Sequence, residues 1–156
     1  MSARPKPVVT YNLATVVCTV GSVPISNYGE DGGVDIELPA SLLESKISAD
    51  GFVVYEAVND DRVTVKITVS ATSRVAKLLL ELATIQMDAV RTGQPMPAVP
   101  FGLFDPATGD RCDSPYAVFI QTPTPSKGKA VGTREFDLEL PYARSNIKLG
   151  ENNQPV

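Results

Sequence analysis

The chain has 156 residues, of which 43% are hydrophobic and 21% are charged, and its formal net charge at pH 7 is −4. These values are typical of one folded domain with a sizeable core, and the negative charge argues against a nucleic-acid reader, which needs a basic patch. The sequence contains no histidine, which excludes His-based catalytic triads and histidine metal ligands.

The first strands are separated by turn residues. Residues 14–23 predict one strand and residues 34–38 a second, with a glycine-rich acidic turn between them. Residues 39–50 predict a loop or a single helical turn anchored by three apolar side chains. These three anchors are Leu42, Leu43 and Ile47.

A β-hairpin is predicted next, with strands over 52–58 and 62–70 around the turn Asn59-Asp-Asp61. The second strand alternates strictly, which indicates one buried face and one wet face. Its apolar side chains are Val63, Val65, Ile67 and Val69, and its polar side chains are Arg62, Thr64, Lys66, Thr68 and Ser70.

An amphipathic helix follows, capped by Ser73 and ended by Gly93. Leu80 and Met87 lie off its apolar stripe, so we expect the helix to be contacted on a second side. The stripe consists of Val75, Leu78, Leu79, Leu82, Ile85, Ala89 and Val90.

The C-terminal part predicts strands over 100–105, 116–122 and 130–140, with loops over 106–115 and 123–129. The last strand places its apolar and acidic side chains on opposite faces. The apolar ones are Phe136, Leu138 and Leu140, and the acidic ones are Glu135, Asp137 and Glu139.

About seven strands in hairpins and one long helix predict a mainly β (α+β) protein, an antiparallel β-sandwich or barrel with one flanking α-helix. We expect residues 1–156 to form a single domain with extended arms over 1–13 and 143–156. One helix cannot cover two sheet faces, so the remaining burial requires a folded-over sheet or an oligomer.

No arrangement of residues predicts catalysis or a cofactor. A nucleophile elbow, a phosphate-binding glycine loop, a Cys-x-x-Cys pair and a calcium-binding loop are all missing from the sequence. Glu135 and Glu139 are about 13 Å apart along a strand, too far for a glycosidase pair. We expect Cys18 to be buried and Cys112, in a polar turn, to be more exposed; a disulfide formed later is left open.

Charge is unevenly distributed along the chain. Residues 28–61 contain nine acids and one base, a net of −8, whereas the rest contains nine acids and thirteen bases, a net of +4. Two interpretations are open: the acids simply solvate loops, or the asymmetry creates an acidic and a basic face for head-to-tail self-association.

Four segments carry a resemblance to a known family. They are Ile47-Ser-Ala-Asp-Gly51, Asp61-Arg-Val-Thr-Val-Lys-Ile-Thr-Val69, Thr72-Ser73 before the helix and Val131-Gly-Thr-Arg-Glu-Phe-Asp-Leu138. Their order and spacing, from about residue 14 to residue 140, resemble the tail tube proteins of contractile-tailed bacteriophages.

The resemblance implies a structural virion protein, not an enzyme, made in the host cytoplasm and located in the tail. Hexameric rings would stack head-to-tail into a tube inside a contractile sheath, with hairpins completing a ring barrel around the lumen. The partners would be other copies of the chain, the sheath, baseplate and tail-terminator proteins, and DNA that passes through without specific binding; no membrane anchor is expected.

Particular residues follow from this expectation. The barrel strands would be 62–70 and 130–140, with Arg62, Thr64, Lys66, Thr68, Glu135, Asp137 and Glu139 facing either the lumen or the sheath. Leu42, Leu43 and Ile47 would form a ring-stacking loop, or alternatively would cap their own core. The tube of a related contractile secretion system and a monomeric ligand-binding β-sandwich are the alternative functions.

Overall fold

The computed structural model describes residues 16–26, 28, 32–38, 40–123 and 132–150. Eleven strands, one α-helix and a 3-10 turn occur in this part of the chain. The strands are β1 (Val17–Val20), β2 (Val23–Pro24), β3 (Gly33–Glu37), β4 (Leu43–Ile47), β5 (Val53–Ala57), β6 (Val63–Ser70), β7 (Phe101–Phe104), β8 (Arg111–Ser114), β9 (Val118–Gln121), β10 (Thr133–Leu140) and β11 (Ile147–Lys148). The helix α1 spans Arg74–Arg91, and the 3-10 turn spans Arg144–Asn146.

The strands form two packed antiparallel sheets and a separate hairpin. The first sheet has the order β11-β8-β7-β1-β2, the second has the order β3-β6-β10-β9, and among the described strands β4 pairs with β5 alone. The helix packs against β2 and β9, and so covers one side of the sandwich. The predicted fold class, an antiparallel β-sandwich with one flanking helix, is confirmed.

The core is built from the inward faces of the alternating strands. Every second residue of β6 is fully enclosed, as the period of a strand with one buried face requires. β10 lies beside β6 over eight residue pairs, and Phe136 meets Phe119 edge to face at 6.4 Å between ring centroids. The enclosed side chains include Val63, Val65, Ile67, Val69, Leu79, Phe136, Leu138 and Leu140.

The predicted hairpin pairs β5 with the wrong strand. Residues 52–58 do not pair with 62–70; β5 pairs with β4, and β6 lies between β3 and β10. The turn is Ser48–Gly51, where Gly51 adopts φ 82° and its N–H donates to the carbonyl oxygen of Ser48 at 2.9 Å. Glycine adopts this left-handed backbone without a steric penalty. Residues 39–50, predicted as a loop or helical turn, therefore contain a strand.

Three further expectations need correction. Cys112 is 1% exposed because Arg111–Ser114 forms β8, which turns alternate side chains inward. Residues 143–150 do not extend as an arm, since β11 pairs with β8. The predicted helix stripe holds in its first half, where Val75 and Leu79 are buried, but further along Gln86 is enclosed while Ile85 and Val90 are exposed. The expected arm at 1–13 lies outside the described residues, as do 151–156.

Candidate functional site: an acidic sheet face and an apolar arm

Two surfaces of the fold carry the residues that the sequence singled out. The first is the outward face of the sheet β3-β6-β10-β9, which we name the polar wall. Its residues are Asp35, Glu37, Thr64, Lys66, Thr68, Glu135, Asp137 and Glu139. The second is the hairpin Leu42–Val58, which we name the arm.

Cross-strand register brings the wall residues together in rows. Glu135 lies opposite Thr68, Asp137 opposite Lys66 and Glu139 opposite Thr64. On the other side of β6, Asp35 also lies opposite Lys66, so this cation stands between two carboxylates in one row. Directly opposed residues share a face and are near neighbours.

The wall is acidic. Five carboxylates face outward with Lys66 as the cation among them. The Oδ1 atom of Asp137 is enclosed yet accepts no hydrogen bond from the described residues. An enclosed acceptor without a donor lowers stability by roughly 1–3 kcal/mol. Arg62, expected on this face, lies before β6 and instead binds Asp60, with Nη2 to Oδ2 at 2.7 Å.

The arm projects from the sandwich. Its two strands pair in register, from Leu43 opposite Ala57 to Ile47 opposite Val53. All ten strand residues are exposed. Side-chain alternation gives the arm one apolar face, made of Leu43, Ile47, Val53, Tyr55 and Ala57 with Ser45 among them. On the opposite face Lys46 pairs with Glu56 at 2.6 Å.

The predicted stacking residues all lie on this arm. Leu42 is 68% exposed and Ile47 is 76% exposed, and Leu43 is also exposed. They do not cap the core of their own chain, so that alternative is wrong in this structure. Phe52, Val53, Val54 and Tyr55 are further exposed apolar side chains of the arm, and they were missed because β5 was assigned to the wrong partner strand.

The root of the arm is held by the C-terminal segment. The Nη1 atom of Arg144 donates to the carbonyl oxygen of Ser41 at 3.4 Å and to that of Asp60 at 3.3 Å, one on each side of the root. The Arg144 N–H donates to the carbonyl oxygen of Asp61 at 3.2 Å. Hydrogen bonds from Arg62 lower the pKa of Asp60 to about 2, so this carboxylate stays charged at neutral pH.

Neither a metal-binding cluster nor a reactive thiol is found among the described residues. They contain no group of three or more His, Cys, Asp or Glu side chains that could hold a metal ion. Burial raises the pKa of the Cys18 thiol to about 12 and that of Cys112 to about 11, so neither is a thiolate nucleophile at neutral pH. Within the described ranges, no helix is both long and apolar enough to cross a membrane.

By sequence, neither a protein-family model nor a curated protein matches the chain. Among solved structures, the sheath/tube terminator of an extracellular contractile injection system, PVC, in its extended state aligns with a TM-score of 0.52. The identity is 12%, over 87% of this chain and 97% of the terminator. The two chains share a fold.

Two further solved structures align less well. The tube-terminating cap of the anti-feeding prophage, AFP, has a TM-score of 0.49 and 9% identity over 96% of this chain and 95% of its own. A chain of the PVC sheath-tube complex in the extended state has a TM-score of 0.46 and 13% identity, over 97% and 93%.

Proposed function

We propose that the chain is the subunit of a tail tube, the inner conduit of a contractile tail. Six copies close into a ring, rings stack head-to-tail, and the tube guides DNA inside a contractile sheath. The observation that carries the proposal is the arm, a hairpin whose apolar face is not covered by any other described part of the chain. The fold shared with the PVC terminator supports a place in a contractile assembly.

An isolated two-stranded hairpin is at best marginally stable in water. This arm exposes Ile47, Val53 and Tyr55 on one face, which is a large apolar surface for a monomer to leave in water. A second copy that covers this face removes the surface from water. Since the arm of one copy would meet a different surface of the next, the contact is heterologous and repeats without limit along an axis.

The polar wall supplies the lining. Six copies of its four-stranded sheet give 24 strands. With strands ~4.8 Å apart and tilted by about 40°, such a barrel is roughly 50 Å across between backbones. This exceeds the aqueous channel of a porin and leaves a broad lumen.

The charge of the wall suits a conduit for DNA. A phosphate backbone binds basic surfaces without regard to sequence, and an acidic lining avoids this retention. Six chains of charge −4 give −24 per ring. We place Glu135, Asp137 and Glu139 toward the lumen, and Thr64, Lys66 and Thr68 beside them.

A terminator ring at the tube end is a second candidate, favoured by the PVC terminator. It predicts single rings that bind a tube end, whereas a tube protein forms stacks. Sheath and baseplate proteins would be partners in either case, and the assembled particle would be the location. A contractile secretion tube differs from a phage tail in its cargo, and a ligand-binding sandwich would remain a monomer.

The arm gives a direct test. Ile47→Asp combined with Tyr55→Asp places two charges on the apolar face, and we expect rings that no longer stack into tubes. Val54→Asp is the matched control, because Val54 is 49% exposed on the opposite face of the same arm. Tubes of normal length from the double variant would contradict the stacking role, and single rings from the wild type would favour the terminator.

A further inference from the structure

Two apolar grooves lie on the sides of the sandwich, outside the wall and the arm. The first, the helix groove, runs between α1 and β9 and has a volume of about 460 Å³. Its exposed apolar side chains are Leu80, Met87, Val90, Met96 and Ile120. The helix thus presents a second apolar side, as the positions of Leu80 and Met87 in the sequence predict.

The second groove, the β3 groove, has a volume of about 290 Å³. One wall comes from β3 and the residue after it, and the other comes from β8 and β11. Its apolar lining is Val34, Ile36, Leu38, Leu103, Ile147 and Leu149. Leu38 is 49% exposed and Leu149 is 82% exposed.

Strand order puts these grooves at opposite sides of the molecule. β3 is the first strand of the wall sheet and β9 is the last, while β11 and β2 are the corresponding edges of the other sheet. A ring whose wall sheets face a common axis sets the β9 side of one copy against the β3 side of the next. The two grooves are therefore the surfaces that such a ring brings together.

The edge of β9 is closed to strand addition at its start. The amide of Gln86 donates to the carbonyl oxygen of Ala117 at 2.8 Å and accepts from the N–H of Phe119 at 3.0 Å. The Ala117 N–H donates to the carbonyl oxygen of Val99 at 2.7 Å. These backbone groups are satisfied within the chain, so a neighbouring copy meets the start of this edge through side chains and can pair with the strand only beyond Phe119.

Charged side chains line both grooves. Arg91 lines the helix groove. Asp110, Arg111 and Lys148 line the β3 groove. Asp110 is the charge opposite to Arg91 among them, so a pair between Arg91 of one copy and Asp110 of the next would orient one side toward the other.

A small ligand fits the helix groove poorly. Such sites place a few free polar groups among apolar walls to fix orientation. Gln86, the buried polar side chain of this groove, already uses its carbonyl and its NH₂ on the β9 edge. The groove is left with an apolar surface and no free buried polar group among its described lining residues.

We infer that the helix groove of one copy binds the β3 side of a second copy, and that this joint closes the ring. The inference rests on the proposed function. It assigns lateral contact to Met87 and Ile120 on one side and to Leu38 and Leu149 on the other. The arm makes the contact between stacked rings, so a substitution can break the lateral contact without breaking the stacking contact.

Mixing two variants tests the joint. Both variants are made in the Ile47→Asp/Tyr55→Asp background, so that the arm cannot join copies. Met87→Arg spoils one side and Leu38→Arg the other, so each alone yields monomers in sedimentation velocity and no rings in negative-stain electron microscopy. In an equimolar mixture, the intact helix groove of the Leu38→Arg copy binds the intact β3 side of the Met87→Arg copy. The product is a dimer with one copy of each variant, because the other two groove surfaces carry the substitutions. Ile85→Arg and Tyr142→Arg, exposed apolar positions outside both grooves, are matched controls that assemble like the wild type.

The outcomes separate this inference from the proposed function. Rings from the wild type and from both single variants overturn the joint and leave a ring protein with contacts elsewhere. Rings from the mixture also overturn it, since a heterologous ring cannot close from these two variants. A wild type that stays monomeric at every concentration overturns the ring itself. Thermal unfolding of both variants, within a few degrees of the wild type, verifies that they fold.

Discussion

Arg144 donates to the carbonyl oxygen of Asp60 at 3.3 Å, and through this bond the C-terminal segment holds the root of the arm. The same guanidinium reaches Ser41 on the other side of the root. A hairpin that contacts the body mainly at its root takes its direction from such bonds. We regard Arg144 as a positioning residue for assembly.

Replacing Arg144 should therefore affect assembly more than folding. We expect Arg144→Ala to speed amide hydrogen exchange in residues 42–58 and to shorten tubes, while the melting temperature falls by only a few degrees. Arg74→Ala, an exposed arginine at the start of the helix, is the control. Unchanged exchange in the arm would show that Arg144 does not fix its direction.

The ion pair on the arm should matter little. Lys46 and Glu56 are 61% and 52% exposed, and pairs of this kind contribute about 0–1 kcal/mol. We expect Glu56→Gln to change the free energy of unfolding by less than about 0.5 kcal/mol and to leave tubes intact. Loss of tubes in this variant would mean that the charged face of the arm, not its apolar face, makes the contact.

Much of the fold could be predicted from the sequence because its longest elements repeat cleanly. β6, β10 and α1 follow their periods over many residues, and Ser73 caps the helix by accepting from the Val75 N–H at 3.1 Å. The short strands were harder. β8 sits in a polar segment, and its position between β7 and β11 places Cys112 in the core.

The arm was mispaired for a physical reason. Two turn signals flank β5, Asp50-Gly51 before it and Asn59-Asp-Asp61 after it, and local sequence does not decide between them. Likewise a glutamine on a helix does not reveal a buried position, since Gln86 is enclosed only because the β9 edge satisfies its amide. Both features depend on contacts distant in sequence.

The core should respond strongly to truncation. Phe136 is 1% exposed and meets Phe119 edge to face, so Phe136→Ala removes a large enclosed side chain. We expect a loss of about 3–5 kcal/mol in the free energy of unfolding, measured by urea denaturation. A loss below about 1 kcal/mol would mean that this part of the core is not packed as described.

The thiols give a pH dependence. Burial raises the pKa of Cys18 from 9.0 to about 12, so the folded chain resists ionisation that the unfolded chain undergoes. Its contribution to stability is complete below about pH 9 and is lost as the pH rises toward 12. Between pH 8 and pH 10 we expect Cys18 to lower the free energy of unfolding by about 1 kcal/mol. In Cys18→Ala this part of the decrease in the free energy of unfolding should be absent. A variant whose pH profile matches that of the wild type would contradict the burial of the thiol.

The orientation of the wall can be tested by reversing its charge. Glu135→Lys with Glu139→Lys should give tubes that retain DNA in a salt-dependent manner, because phosphates bind a basic lining. Asp113→Lys, exposed on the other sheet, is the control. If both variants bind the same amount of DNA, and bind it on the outer surface of the tube, then Glu135 and Glu139 lie outside the lumen.

Negative-stain electron microscopy of the purified wild-type chain, concentrated and then incubated, tests the central claim most directly. The account predicts six-fold rings in end views and hollow tubes in side views, with tube length increasing with protein concentration. A single population of monomers at every concentration would contradict it, and would make the ligand-binding sandwich the better reading of this fold.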